Sequence, residues 1–167
     1  MTNMTTQIKF RLLVLIAVLF MGNNSFSQTS NVKNLPISVS NLSYVKTYPE
    51  VLTQFQTLFP NAENVSFYHL DKNTGATFKM NDLRYRVLLN KKGKLLFKIT
   101  YCQEKHLPVE VRKAIKKEYV EFRITAASLV EEANRKIWVV HIEDDWEYVV
   151  VRVENNEMGE NMKYKKG

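Results

Sequence analysis

The stretch Leu83-Arg84-Tyr85-Arg86-Val87-Leu88-Leu89-Asn90-Lys91-Lys92-Gly93-Lys94-Leu95-Leu96-Phe97-Lys98-Ile99-Thr100-Tyr101 decides the fold class. Leu83, Tyr85, Val87 and Leu89 alternate with Arg84, Arg86, Leu88 and Asn90, which is the period-two pattern of a half-buried strand. Asn90 to Gly93 has the composition of a tight hairpin connection. Leu95, Phe97, Ile99 and Tyr101 then alternate with Leu96, Lys98 and Thr100, so a second strand returns antiparallel to the first.

Upstream, Val65, Phe67 and His69 alternate with Ser66, Tyr68 and Leu70. Asp71 to Gly75 is a turn, Ala76 to Met80 a further strand, and Asn81-Asp82 another turn. Before these strands, Leu52, Phe55 and Phe59 recur at helical spacing, with Val51 and Leu58 widening the stripe. Pro49 suits a helix's first turn, where its missing N–H has no intrahelical partner, and Pro60-Asn61 ends the helix.

Downstream, the pattern begins again at Leu107-Pro108. Val111, Ile115 and Tyr119 form an apolar helical stripe, and Arg112, Lys113, Lys116 and Lys117 occupy the other sides. Strands follow at about residues 122–130, 136–142 and 147–154, with Asp144-Asp145 as a turn. A second hairpin connection over Asn155 to Gly159 leads to a short, frayed strand at residues 162–166. The two series are offset by about 60 residues, too few copies for a solenoid. They predict an α+β fold in which a helix packs on antiparallel sheet, duplicated as two α-β-β-β-type halves sharing a core. A helix and a small sheet alone bury too little apolar surface to offset chain entropy, and a shared core remedies that.

The chain has 167 residues, 24 Lys+Arg against 17 Asp+Glu, a net charge of +7, and a single Cys. That composition excludes collagen-like, low-complexity and wholly disordered classes, and one Cys excludes an intramolecular disulfide framework. The N-terminus reads as an address. Lys9 and Arg11 flank or enter an apolar run from Phe10 to Met21, and no acid occurs before Glu50. A basic start, a short apolar stretch and a small polar exit near Ser25 to Gln28 make a secretory signal peptide over residues 1–27. The run is too short to span a bilayer comfortably. No Cys lies there, which argues against a lipid anchor. Cleavage removes two cations and no acid, lowering the net charge to +5. Residues 28–47, rich in Ser, Asn and Thr, read as a polar tether with a short edge strand around Ile37 to Val45. The domain proper is expected over residues 48–167, with halves at about 48–105 and 106–167. The protein is expected in the periplasm or outside the cell.

The Phe59-Pro60-Asn61-Ala62 junction followed by Val65, the aromatic-alternating strand Tyr85 to Leu89, the Gly93 hairpin and the Leu107-Pro108 helix start resemble the PepSY-like, β-lactamase-inhibitor-protein-like domains of secreted Bacteroidetes-type proteins. The second half departs from that pattern, since Val120-Glu121-Phe122-Arg123 lacks the Pro-Asn-Ala junction. The resemblance implies a helix on an antiparallel sheet, often duplicated, with no catalytic apparatus. It also implies protein or peptide binding, in some members inhibition of an enzyme.

The residues themselves carry few chemical signals. His69 with Asp71, and His141 with Glu143, share strand faces, but a metal needs a third ligand from elsewhere. Adjacent Asp144 and Asp145 point apart in a turn, unlike the paired carboxylates of a cleft. No phosphate loop, nucleophile elbow or tandem Cys pair occurs, and Cys102 has no neighbouring base. No cofactor, metal or catalytic residue is therefore expected. The basic clusters Lys91-Lys92-Lys94, Arg112-Lys113-Lys116-Lys117 and Lys163-Lys165-Lys166 read first as solvated surface and second as guides for an acidic partner. The last hairpin is apolar on both faces: Trp138, Val140 and Ile142 against Ile137 and Val139, then Tyr148 and Val150 against Val149, Val151 and Val153. Its second cover is expected to be the other half of the molecule, or else a partner. Trp, Tyr and Arg dominate protein interfaces, so Tyr68, Arg84, Arg86, Trp138, Trp146 and Tyr148 are the candidate binding residues. The function expected is an exported, non-catalytic module binding a protein or peptide through an open sheet face. No contact with nucleic acid and no membrane span are expected. The alternatives are a metal-assisted secreted hydrolase and an envelope protein without a dedicated ligand.

Overall fold

Val51, Phe55 and Phe59 lie one helical turn apart and are all buried, and this spacing seats the first helix on the sheet. The computed structural model describes residues 47–167. The predicted signal peptide and the proposed edge strand at Ile37 to Val45 lie outside the described residues, as does all but the last residue of the predicted tether. Helix α1 spans Pro49–Leu58. Strands β1 (Glu63–Leu70), β2 (Asn73–Met80), β3 (Leu83–Leu89) and β4 (Leu95–Cys102) follow. A 3-10 turn at Glu104–His106 leads into α2 (Val109–Glu118). Strands β5 (Arg123–Glu132), β6 (Arg135–Glu143), β7 (Glu147–Glu154) and β8 (Glu157–Lys165) complete the chain. The eight strands form one antiparallel sheet in the order β1 to β8, each beside its neighbour in sequence.

The helix ends follow the same rule in both places. Phe59 N–H donates to the Phe55 carbonyl at 2.9 Å, and Tyr119 N–H donates to the Ile115 carbonyl at 2.8 Å. Both ring residues close their helix and then turn into the core, where Phe59 is 5% and Tyr119 8% exposed. The tight turns use left-handed backbone at Asp71, Asn81, Asp82, Asn155 and Asn156, residue types that tolerate it because their short side chains bond locally. Gly93 has φ of +77°, and a Cβ there would come within 2.9 Å of the Glu50 carbonyl. Glycine at this hairpin therefore allows α1 to approach the β3–β4 connection.

Both helices cover the same side of the sheet. Under α1 lie Ala76, Phe78, Tyr85, Val87 and Leu89, with Phe55 at 5.1 Å from both Phe67 and Phe78 between ring centroids. Under α2 lie Ala127, Val140, Ile142, Val149, Val151 and Val153. Two apolar clusters, one per helix, thus stand where a single shared core was expected. Each helix is followed by four strands rather than three. The last strand is also longer than the sequence suggested, running nine residues after a turn confined to Asn155-Asn156. What joins the two helix-bearing regions is the β4–β5 ladder, from Phe97 opposite Glu132 to Cys102 opposite Ala127.

Candidate functional site

Alternation along each strand assigns every second residue to the face away from the helices, and the cross-strand register aligns those residues in rows. One row runs Lys79, Arg84, Tyr101, Ser128, Val139, Arg152. The next runs Thr77, Arg86, Ile99, Val130, Ile137, Glu154. A third contains Tyr68, Gly75, Leu88, Phe97, Glu132 and Arg135. On the other flank stand His141 with Val150, and Glu143 with Tyr148. The centre of this far face is apolar: Ile99, Val130, Ile137 and Val139 are each 1% exposed, although both described helices lie on the opposite side.

The rim is aromatic and charged. The Tyr68 ring lies over Gly75, where a Cβ would collide with it, so the missing side chain is what lets the ring lie flat on the sheet. The Arg84 guanidinium sits 4.3 Å from the centroid of the Tyr101 ring, a cation–π contact. Arg135 and Arg152 both pair with Glu154, the former at 2.7 Å. His141 Nδ1 meets the Tyr148 hydroxyl, and burial holds the imidazole below its ordinary pKa and raises that of the tyrosine. Ser128 is fully buried, and among the described residues neither its Oγ nor the buried Tyr68 hydroxyl has a hydrogen-bond partner.

Of the six predicted binding residues, Tyr68, Arg84, Arg86 and Tyr148 lie on this face. Trp138 does not: it pairs with Leu129 and Val153 and packs against the α2 cluster. The alternation of β6 places it there, because Val140 and Ile142 share its side. Trp146 lies in the β6–β7 turn and is 76% exposed. The Asp144 carboxylate fixes that turn by accepting from the Trp146 and Glu147 amides, and those bonds pull its pKa down. The last hairpin's second face was expected to meet the other half of the molecule. Instead β1–β4 lie beside it in the same sheet and cannot cover it. The sequence also missed Phe97, Ile99, Tyr101 and Ser128 as members of the site. Their signal was the antiparallel register itself, which sets Tyr101 and Ile99 opposite Arg84 and Arg86.

His69 and His106 lie elsewhere: His69 pairs with Thr74 on the helix side of β1, and His106 Nδ1 accepts from the Gln103 amide. Among the described residues no three His, Cys, Asp or Glu side chains converge as metal ligands. Nor is any helix among them long and apolar enough to cross a membrane.

The fold is shared with solved structures from Bacteroides. A BLIP-like protein of Bacteroides fragilis superposes with a TM-score of 0.61 at 16% identity, over 77% of this chain and 94% of that one. A Bacteroides eggerthii protein described as periplasmic gives 0.62 at 14% identity, over 72% and 90%. A DUF2874 family protein of Bacteroides ovatus gives 0.60 at 20% identity, over 72% and 89%. These likenesses agree with the β-lactamase-inhibitor-protein-like part of the resemblance in fold. No protein-family model matches this chain, and no curated protein does.

Proposed function

We propose that the protein is an exported, non-catalytic binding module that contacts a protein or peptide through the sheet face opposite its helices. One observation carries this reading. Ile99, Val130, Ile137 and Val139 form an apolar centre on the side away from both described helices, inside a rim of Tyr68, Tyr101, Tyr148, Arg84 and Arg86. Apolar centres rimmed by aromatic and arginine side chains are typical of interfaces. The central residues are already withheld from water, so contact begins at the rim, where Arg84 is exposed and Tyr68, Tyr101, Tyr148 and Arg86 are half-buried.

The shared fold supports the reading only by analogy, since one fold hosts many functions. Within that analogy, the BLIP-like neighbour favours inhibition of an enzyme as the specific form of binding. Export rests on the basic-apolar-polar N-terminus of residues 1–27 and agrees with the periplasmic description of the Bacteroides eggerthii neighbour. Residues 28–47 would then tether the domain at 48–167. The two helix-and-strand series, at about 48–105 and 106–167, are read as a duplication, supported by Val51, Phe55 and Phe59 matching Val111, Ile115 and Tyr119 in spacing and burial.

Site-specific photo-crosslinking in envelope extract tests the reading. A crosslinking residue at Tyr101, on the far face, should capture one reproducible protein, and the same residue at Lys116 on the back of α2 should not. Capture from Lys116 alone would overturn the assignment of the face.

A further inference from the structure

Trp146 is the most exposed large apolar side chain among the described residues, at 76%, and it stands in the β6–β7 turn. Its backbone is held on both sides. The amide donates to the Asp144 carboxylate at 2.8 Å, and the carbonyl accepts from the Lys166 amide at 2.7 Å. The Lys166 ammonium also donates to the Asp144 carbonyl at 2.6 Å. The indole is thus presented on a fixed turn, yet among the described residues no ring or cation stacks on it. An aromatic side chain held out to solvent on an ordered backbone is immobilised at little further entropy cost when a partner meets it.

The surroundings say what chemistry meets it. Trp146 shares an open recess of about 360 Å³ with Glu121, Arg123, Glu143, Asp144 and Asp145. Glu143 is matched by Arg123 at 2.7 Å and by Lys166 at 3.0 Å, and the Asp144 carboxylate is taken up by the turn amides. Glu121 and Asp145 are exposed, and among the described residues neither forms an ion pair or a side-chain hydrogen bond. Both nearby cations are therefore engaged by Glu143, which leaves two unmatched carboxylates beside an unstacked indole. The whole chain carries +7, but charges more than about 8 Å away are largely screened at physiological salt, so the local sign governs close contact.

We infer that this recess receives an arginine side chain of a partner protein. The guanidinium lies flat on the Trp146 indole and donates to the Asp145 and Glu121 carboxylates. Arginine suits both halves of the site, because its weakly hydrated plane stacks on an aromatic face while its N–H donors reach carboxylates. An apolar side chain would use the ring and leave the carboxylates idle, and a bare metal ion would do the reverse. The contact lies at the end of the sheet and needs no buried group to be uncovered, so it does not rest on the far-face reading.

The test uses residues 28–167 and a short glycine peptide with one central arginine, capped at both ends so that the arginine is its only charge. A twin peptide carries citrulline, which keeps the shape of the side chain and removes the charge. Binding is read by NMR from the indole N–H signals of the two tryptophans, which Trp146→Phe tells apart. The arginine peptide should shift the Trp146 signal saturably and leave that of Trp138, which packs against the α2 cluster, in place. The citrulline peptide should bind about fivefold more weakly or worse, and Glu121→Gln combined with Asp145→Asn should weaken the arginine peptide by about threefold or more. Both substitutions fall at exposed positions without bonds to the fold, so the melting temperature should stay at the native value; Asp145→Asn alone gives the same reading if the pair lowers it. Equal affinity for both peptides, or an arginine affinity unchanged in these variants, would overturn the inference. So would a Trp146 signal that does not move up to the solubility of the arginine peptide. Crosslinking at Tyr101 is indifferent to these outcomes, so the far-face reading stands or falls separately.

Discussion

At the scale of single residues, two glycines do different work. Gly75 provides room for the Tyr68 ring, whereas Gly93 provides both a left-handed turn and room for the α1 backbone. A side chain at Gly75 meets the far end of a movable ring; one at Gly93 meets the Glu50 carbonyl, which cannot move without its helix. Gly93→Ala is therefore expected to destabilise by about 1–3 kcal/mol, measured by urea denaturation. An unchanged midpoint would mean that the hairpin adapts. His141 gives a second expectation at this scale. Burial keeps its pKa below the ordinary 6.5, so on acidification the unfolded chain takes up the proton first. The unfolded state then binds more protons than the folded one, and stability falls as pH drops below about 6.5. Thermal melts of the native protein and His141→Gln should diverge in slope between about pH 7 and pH 5, with the variant flatter. Parallel curves would refute burial as the cause.

At the scale of elements, most of the architecture could be read from alternation and helical spacing. The stripe Val111-Ile115-Tyr119 is buried as expected; of the stripe expected at Leu52, Phe55 and Phe59 with Val51 and Leu58 beside it, Val51, Phe55 and Phe59 are buried, Leu52 is half-buried and Leu58 is exposed, because a helix on a sheet buries a single apolar face. The final hairpin's two-sided apolarity was also visible, and the structure gives Val140 and Ile142 to the helix side, Ile137 and Val139 to the other. Trp138 lies on the helix side rather than the far face, because a tryptophan's type suggests an interface but its position between Leu129 and Val153 in the register fixes its side. The far face of β4 could not be read at all from its own strand. Phe97, Ile99 and Tyr101 look like core residues, and only pairing with β3 shows that they share a face with Arg84 and Arg86. The bulge between Leu88 and Leu89 further hides this register from any reading of β3 alone. Ser128 was silent because a lone serine in a strand carries no pattern; its place on the far face comes from the register alone.

For the whole molecule, the question is whether two apolar clusters behave as one folding unit. The β4–β5 ladder joins them, and the far-face residues Ile99 and Val130 sit opposite one another across that seam, each nearly inaccessible to solvent. Loss of either cluster should therefore be felt by both. Phe55→Ala, under α1, and Ile115→Ala, under α2, are expected to cost about 3–5 and 2–5 kcal/mol respectively, each with one cooperative calorimetric transition. Two separated transitions in either variant would show that the seam does not transmit stability.

The strand order has a kinetic consequence. Because each strand pairs with the next one along the chain, most ladders close across a turn of a few residues, and the entropic cost of closure stays small. Only the β4–β5 pairing must wait for the segment from Gln103 to Phe122, with α2 inside it, to be drawn together. A sheet of this size built from distant pairings would form slowly, whereas this one can zip from either end toward its middle, leaving that seam as the last ladder to form.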